Sequence, residues 1–305
     1  MTREELNKAK QSEIISEERR EKRKKVVCIT FKIILALVII FSTFYILNDY
    51  IFTKKILVKE ERIVNEKIPD SFNGLKVVQF SDLHYGSTVF LDEVKELVKI
   101  INSRNPDIVI FTGDLIDKNY DISDKDKEKF IHEISKLKAS IGKYSVFGDE
   151  DSDDYSSIIK QAGFNLLDNS YDLVYDGDKT PIIIIGISSL LSNNYDIDAA
   201  FSYFKESNSN SNLYSIVVFH EPDLTDYVLK NKNADLLLAG HSHNGYVKLP
   251  FVNGLIKSDG AMEYYDERYE FSNSKLFISS GIGTNGSGVR FMCQPSVNFF
   301  RLSSK

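Results

Sequence analysis

The sequence predicts an α/β fold carried behind an N-terminal transmembrane helix. Three observations lead there. Short apolar runs recur along the chain, and each ends in a polar cluster rich in Asp, His or Gly. Stretches with apolar residues at helical spacing separate the first of these runs. A single long apolar segment lies near the N-terminus, ahead of all of them.

That first segment runs from Val26 to Leu47, interrupted chiefly by Lys32. As a helix it is long enough to cross about 30 Å of hydrocarbon. A long charged leader precedes it and no small-x-small site follows it, which argues for an uncleaved signal anchor rather than a cleaved signal peptide. The expected organisation is a cytoplasmic leader over residues 1–25, an anchor over 26–48 and one domain over 49–305. Arg19, Arg20, Lys22, Arg23, Lys24 and Lys25 lie before the span and Lys54, Lys55 and Lys59 after it. The heavier basic flank predicts a cytoplasmic N-terminus and an extracytoplasmic domain.

Charge divides at the same place. Residues 1–55 hold 12 Lys and Arg against 7 Asp and Glu, and the rest of the chain 26 against 37. A basic leader suits the anionic inner leaflet. An acidic domain argues against nucleic acid as a partner, since that surface needs a basic face. Cys28 lies in the span and Cys293 in the domain, so the sequence predicts no disulfide between them and no cysteine metal site. No Pro-rich or Gly/Ser-rich linker and no internal repeat divides the domain.

Within the domain, Leu75–Phe80, Ile108–Phe111, Tyr144–Phe147, Ser215–Phe219 and Asp235–Leu238 read as buried strands. Ile182–Ile187 and Lys275–Ser279 add two more, the first nearly all isoleucine and so expected to be buried on both faces. Leu91–Ile101 and Asp126–Leu137 have helical spacing and link the first three motif strands as βα units. His132, on the second of these, reads as a solvated helix histidine. Asn119–Lys127 and Asn193–Asn212 are expected to be surface loops.

The polar clusters that end these strands are Asp82-Leu83-His84, Gly113-Asp114, Gly148-Asp149-Glu150-Asp151, His220-Glu221-Pro222 and Gly240-His241-Ser242-His243. All sit at C-terminal strand ends, the edge of an α/β sheet where loops converge on a crevice. A pair of divalent ions about 3.5–4 Å apart needs a bridging carboxylate, imidazoles to fill each shell and open positions for water and substrate. Phosphorus esters suit such a pair, because both metals can hold the non-bridging oxygens while a bridging hydroxide attacks in line.

In this ordered set the chain resembles the calcineurin-like metallophosphoesterases, from about Leu75 to the C-terminus. It is most similar to their membrane-anchored bacterial branch, on the segment Gly240 to Pro250 and on Ser280-Gly281-Ile282-Gly283 followed by Val289-Arg290-Phe291. The resemblance implies two packed sheets flanked by helices, a four-layer αββα sandwich. It also implies two divalent ions (Mn, Fe, Zn or Mg), with Asp82, His84 and His243 on one, Asp149, His220 and His241 on the other and Asp114 bridging. Ser242 reads as a spacer.

Two adjacent residues depart from the family pattern, in which the third cluster is usually Gly-Asn-His-Asp. Asp149 replaces the asparagine, which keeps an oxygen ligand and adds charge. Glu150 replaces the histidine that contacts phosphate or assists the leaving group. Glu150 can serve as a general acid if neighbouring negative charge raises its pKa. The expected catalytic residues are therefore Glu150 and Asp114.

The leading expectation is a membrane-anchored hydrolase acting on a phosphomonoester, phosphodiester or pyrophosphate. Its location makes a lipid-linked or cell-wall-linked phosphorylated substrate reasonable. The alternative is a metal-binding, non-hydrolytic membrane module that recognises a phosphorylated ligand, a reading motivated by Glu150. Three further features read structurally: Asp151, Asp153 and Asp154 as a helix N-terminus favouring negative charge, Asn285-Gly286-Ser287 as a turn, and Arg290 as a structural or surface arginine. Tyr264, Tyr265 and Tyr269 either line a lipid or sugar pocket or pack on a sheet edge.

Overall fold

A computed structural model describes residues 3–48, 55–177, 180–206, 212–231, 234–248, 254, 257–286 and 290–304. The chain divides into two compact units, Met1–Tyr50 and Ile51–Lys305.

The first unit is one helix, α1 (Arg3–Asn48). The charged leader is thus helical and continuous with the apolar segment, helped by pairs such as Lys24 to Glu21 at 2.8 Å. Its apolar part is long and apolar enough to cross a membrane. At 1.5 Å per residue the stretch from Val26 to Leu47 rises about 33 Å, against a hydrocarbon core of about 30 Å. Its described apolar side chains, Val26 to Phe44, are exposed.

The second unit holds two six-stranded sheets. The first contains β1 (Leu57–Val64), β2 (Lys76–Phe80), β3 (Ile108–Phe111), β4 (Gly142–Ser145), β5 (Asn165–Leu166) and β12 (Ser296–Ser303), in the order β1-β12-β2-β3-β4-β5. The second contains β6 (Ser170–Val174), β7 (Ile182–Gly186), β8 (Ser215–Val218), β9 (Leu236–Ala239), β10 (Arg268–Glu270) and β11 (Lys275–Ile278), in the order β10-β11-β9-β8-β7-β6. Strands β2, β3 and β4 are parallel to one another, as are β7, β8 and β9. The C-terminal ends of each set therefore lie along one edge of their sheet.

Alternation along the strands builds three apolar layers. Val77, Ile108 and Ile110 meet Ile182, Ile184, Ile216, Val218, Leu236 and Leu238 between the sheets. Val78, Phe80, Val109 and Phe111 face the other way, onto α2 (Leu91–Ser103), α3 (Asp124–Ile134) and α4 (Tyr155–Gln161). On the far side, Ile183, Ile185, Val217 and Leu237 are covered from α5 (Ile197–Ala200), α6 (Ser202–Glu206) and α7 (Leu224–Asn231). The result is the four-layer sandwich, and β7 is buried along its whole length, as its isoleucine run predicts.

Element ends follow local chemistry. Helix α2 buries Val94, Leu97, Val98 and Ile101, one stripe at helical spacing, and starts where Glu93 accepts the Phe90 N–H at 3.0 Å. Helix α3 begins earlier than its periodicity suggests because Ser123 accepts the Asp126 N–H at 3.3 Å. It ends at Ile134, so Leu137 packs on the core from a turn beyond it. His132 is exposed on α3. The Asn119–Lys127 stretch is thus partly helical, and Asn193–Asn212 carries α5 and α6. Within that second stretch, residues 207–211 lie outside the described residues. Cys28 and Cys293 are both free.

One buried polar group ties the sheets together beneath the converging loops. Gln79 of β2 donates to the Ala239 carbonyl of β9 at 2.8 Å and accepts from Asn298 of β12 at 3.0 Å. It is fully buried on a face where its neighbour Val77 is apolar. A satisfied polar group there fixes the two motif-bearing strand ends relative to each other.

Candidate metal centre

The loops leaving β2 and β3 are zipped by their backbones. Asp82 donates its N–H to Gly113 at 3.0 Å, and Leu83 donates to the Asp114 carbonyl at 2.8 Å. From the second sheet, the His241 N–H reaches the Asp82 carboxylate at 3.0 Å. Asp82, His84, Asp114, His241 and His243 all adopt positive φ. For residues other than glycine this region is sparsely populated, so strain is concentrated on the side chains that converge.

Close backbone approach demands glycine at two crossings. A Cβ on Gly148 would lie 2.2 Å from Asp114 Oδ1, and one on Gly113 would lie 2.5 Å from the Gly148 nitrogen. Gly148→Ala is therefore expected to displace Asp114 and destabilise the chain by about 1–3 kcal/mol. Thermal unfolding of the variant, with its bound metal measured in parallel, checks this.

Two groups of ligand atoms result, each with all members within 4.8 Å: Asp82, His84 and His243 in one, and Asp114, Asp149, His220 and His241 in the other. Asp114 lies between them. Its Oδ1 accepts the Glu150 N–H at 3.0 Å. Its Oδ2 is 3.7 Å from His84 Nε2 on one side and 3.3 Å from His220 Nε2 on the other. Asp149 Oδ1 is 3.3 Å from His220 Nε2 and 3.0 Å from His241 Nδ1. His243 Nε2 is 3.3 Å from Asp82 Oδ1. The structure thus gathers every residue the sequence nominates as a ligand.

Neighbouring carbonyls orient two of the rings. His220 Nδ1 meets the Thr112 carbonyl at 2.5 Å and His241 Nε2 meets that of Asp259 at 2.7 Å. These contacts turn His220 Nε2 and His241 Nδ1 towards the centre, where bound cations would take their lone pairs. Burial lowers both imidazoles, but the facing carboxylates, Asp149 foremost for His241 and Asp114 for His220, outweigh it and raise them. Burial drives His243 down to about 4 against the pull of Asp82, so its imidazole is neutral near pH 7. Burial raises Asp82 and Asp149, but the surrounding histidines outweigh it and hold both below the usual carboxylate range.

The donor set fits divalent cations. Among the described residues, both ring nitrogens of His84, Asp149 Oδ1 and Glu150 Oε2 are buried without a hydrogen-bond partner. Leaving such groups unsatisfied costs about 1–3 kcal/mol each, and coordinated cations would satisfy them. Oxygen and imidazole ligands accept Mn, Fe, Zn or Mg, with affinities that differ between them. The His241 and Asp149 side chains remain 10% and 21% exposed while the other ligands are sealed, so the centre opens to solvent on their side.

Three residues outside the nominated set complete the centre. Asp151 accepts the N–H groups of Asp114, Leu115 and Gly148 at 3.0, 2.9 and 2.7 Å. It is therefore a clamp on the β3 and β4 loops rather than a helix N-terminal charge; α4 starts only at Tyr155. Asp117, three residues after Asp114, forms a further group with His84 and Glu150. A cation already serves that group, since Lys118 Nζ is 2.8 Å from Glu150 Oε1.

Glu150 differs from expectation. Burial pushes its carboxyl up, but His84, Lys118 and Asn285 outweigh burial and hold it down to about 2. It is an ionised carboxylate at neutral pH, not the protonated acid that neighbouring negative charge would create. Arg290 is structural: it is buried and donates to the Ser280 and Gly283 carbonyls at 2.6 and 2.5 Å. Ser242 caps its own turn, accepting the Asn244 N–H at 3.1 Å. Tyr264 packs edge-on against Tyr269 at 5.0 Å beside the second sheet, so these two rings are packing rather than pocket, while the Tyr265 ring lies under Lys257 Nζ at 4.1 Å. Pro250, Ser287 and Val289 lie outside the described residues.

Two facing sheets between helical layers, with carboxylates and imidazoles gathered from five strand ends, define a metallophosphoesterase fold. A model of the calcineurin-like phosphoesterase family matches residues 75–245. The chain is 31% identical over 254 residues to the uncharacterized metallophosphoesterase YkuE of Bacillus subtilis, covering 80% of this chain and 85% of that protein. Phosphodiesterase YaeI of Escherichia coli is 23% identical over 242 residues, covering 76% and 84%. A Danio rerio transmembrane protein with metallophosphoesterase domain is 26% identical over 224 residues, covering 65% of this chain and 49% of its own length. The chain belongs to the calcineurin-like phosphoesterase family.

Proposed function

We propose that this protein is a membrane-anchored, two-metal phosphoesterase that hydrolyses a phosphate ester or anhydride. One observation carries the reading: Asp114 Oδ2 lies between His84 Nε2 and His220 Nε2, with one ligand group on either side. Asp82, His84 and His243 would hold one cation, Asp149, His220 and His241 the other, and Asp114 would bridge. Bound there, the cations would polarise the phosphoryl group and lower the pKa of water in the centre. The carboxylates and imidazoles would hold the cations, and the exposed edges of His241 and Asp149 leave a side from which a phosphoryl group could enter.

Phosphomonoester, phosphodiester and pyrophosphate all fit this chemistry. The name of the Escherichia coli relative supports the diester. The test is hydrolysis of an aryl phosphodiester and an aryl phosphomonoester by the detergent-solubilised chain loaded with manganese. Metal-dependent turnover supports an enzyme. Two bound metals without turnover would favour the second reading, a module that binds a phosphorylated ligand, which rests on the ionised carboxylate of Glu150.

For topology, the basic flank supports a cytoplasmic N-terminus and an extracytoplasmic domain, where lipid-linked or cell-wall phosphates are within reach. Asp92 is 89% exposed on α2. In a chain with both cysteines replaced by serine, Asp92→Cys is expected to react with a membrane-impermeant maleimide in intact cells. Labelling only after lysis would place the domain inside.

A further inference from the structure

The two oxygens of Glu150 face different neighbours. Oε1 receives the Lys118 ammonium at 2.8 Å and the Asn285 amide at 3.3 Å, while Oε2 lies 3.5 Å from His84 Nδ1. Its side chain is 3% exposed, whereas that of Lys118 is 59% exposed. At this wall of the centre, then, the negative charge is sealed inside and the charge offered to solvent is positive.

The wall is built, not incidental. Lys118 follows Asp117, whose N–H is held by the Tyr85 carbonyl at 3.1 Å, so the root of the lysine is fixed. Asn285 accepts from the Tyr246 hydroxyl at 3.0 Å, and the Tyr246 ring stacks on His243 at 4.4 Å. The Glu150 N–H binds Asp114 Oδ1. Lys118 is therefore one carboxylate removed from His84, and the residue that carries that carboxylate is tied by its backbone to Asp114.

Resting on the phosphoesterase reading, we propose that Lys118 is a phosphate-binding residue of this site, with Glu150 as the positioning residue that holds its ammonium beside the centre. An ammonium carries three N–H donors. One is directed at Glu150, and the others are available to the oxygens of an incoming phosphoryl group. A compact point charge of this kind does not require the bidentate geometry of arginine, so it accepts monoester and diester phosphate alike. Without it, the Glu150 side chain would lie on this wall with no cationic neighbour at Oε1.

The test uses the full chain in detergent, loaded with manganese, and compares it with Lys118→Met and Lys118→Arg. Inorganic phosphate is the probe, titrated by calorimetry; manganese content and the KM and kcat for an aryl phosphomonoester are measured alongside. Lys118→Met is expected to retain its manganese and bind phosphate roughly 10- to 100-fold more weakly, the loss of one charge-assisted hydrogen bond. KM should rise more than kcat falls, and Lys118→Arg should recover most of the affinity. Unchanged phosphate binding in Lys118→Met, or loss of its manganese, would overturn the proposal and leave the phosphoesterase reading standing. Absence of turnover in the parent would count against that reading alone, because the phosphate titration still decides the role of Lys118. A parent that binds no phosphate overturns the proposal.

Discussion

Asp114→Ala is expected to abolish metal-dependent hydrolysis and to lower metal content at both positions. Asp114 Oδ2 approaches imidazoles of both groups, 3.7 Å from His84 and 3.3 Å from His220, whereas Asp82 Oδ1 is 3.3 Å from His243 and only 3.9 Å from His220. Its removal also frees the Glu150 N–H that Oδ1 holds at 3.0 Å. Lewis-acid stabilisation is worth several kcal/mol, so turnover should fall on the order of 1,000-fold or more. His241→Ala, by contrast, removes a ligand from one group only, and should leave the other cation bound. Metal analysis of the two purified variants against the parent distinguishes these outcomes. Equal metal loss in both would contradict a bridging role for Asp114.

The second large effect lies at Glu150. Glu150→Gln keeps size and shape but removes the charge that holds Lys118 and faces His84. Turnover should drop roughly 10- to 100-fold, the range for a lost charge-assisted contact, with both metals retained. Glu150→His tests the same point from the other direction. It introduces an imidazole but leaves the Lys118 ammonium without its carboxylate, so activity is expected to stay at or below that of the parent. A large gain on introducing histidine would mark the site as a weakened form of an ordinary phosphoesterase centre.

Much of this architecture is legible in the sequence because buried parallel strands are near-continuous apolar runs. IVIF at Ile108–Phe111 and the isoleucines at Ile182–Ile185 can hardly be anything else. Strand β1, LVKEERIV, was not legible. It is an edge strand whose four central residues are charged, and among the described residues it pairs with β12 at the far end of the chain. Three-residue β10 depends in the same way on β11.

At the centre, residue type and position after a strand were enough to nominate the ligands. The supporting residues were not, because their roles depend on how the backbone turns. Asp151 reads as helix-terminal in sequence, yet its chain turns back so that it collects three amides from two loops. Asp117 was signalled only by its spacing from Asp114. Nothing in the sequence links Lys118 and Asn285 to Glu150, and together with His84 they reverse the expected shift of that carboxyl.

The most direct measurement is titration of the chelator-stripped chain with manganese, following electron paramagnetic resonance and aryl phosphodiester hydrolysis on the same samples. The account predicts binding of two ions per chain, a spin-coupled signal from a close pair and turnover that rises with that signal. A single uncoupled ion at saturation, or hydrolysis complete before the coupled signal develops, would contradict the two-metal centre bridged by Asp114.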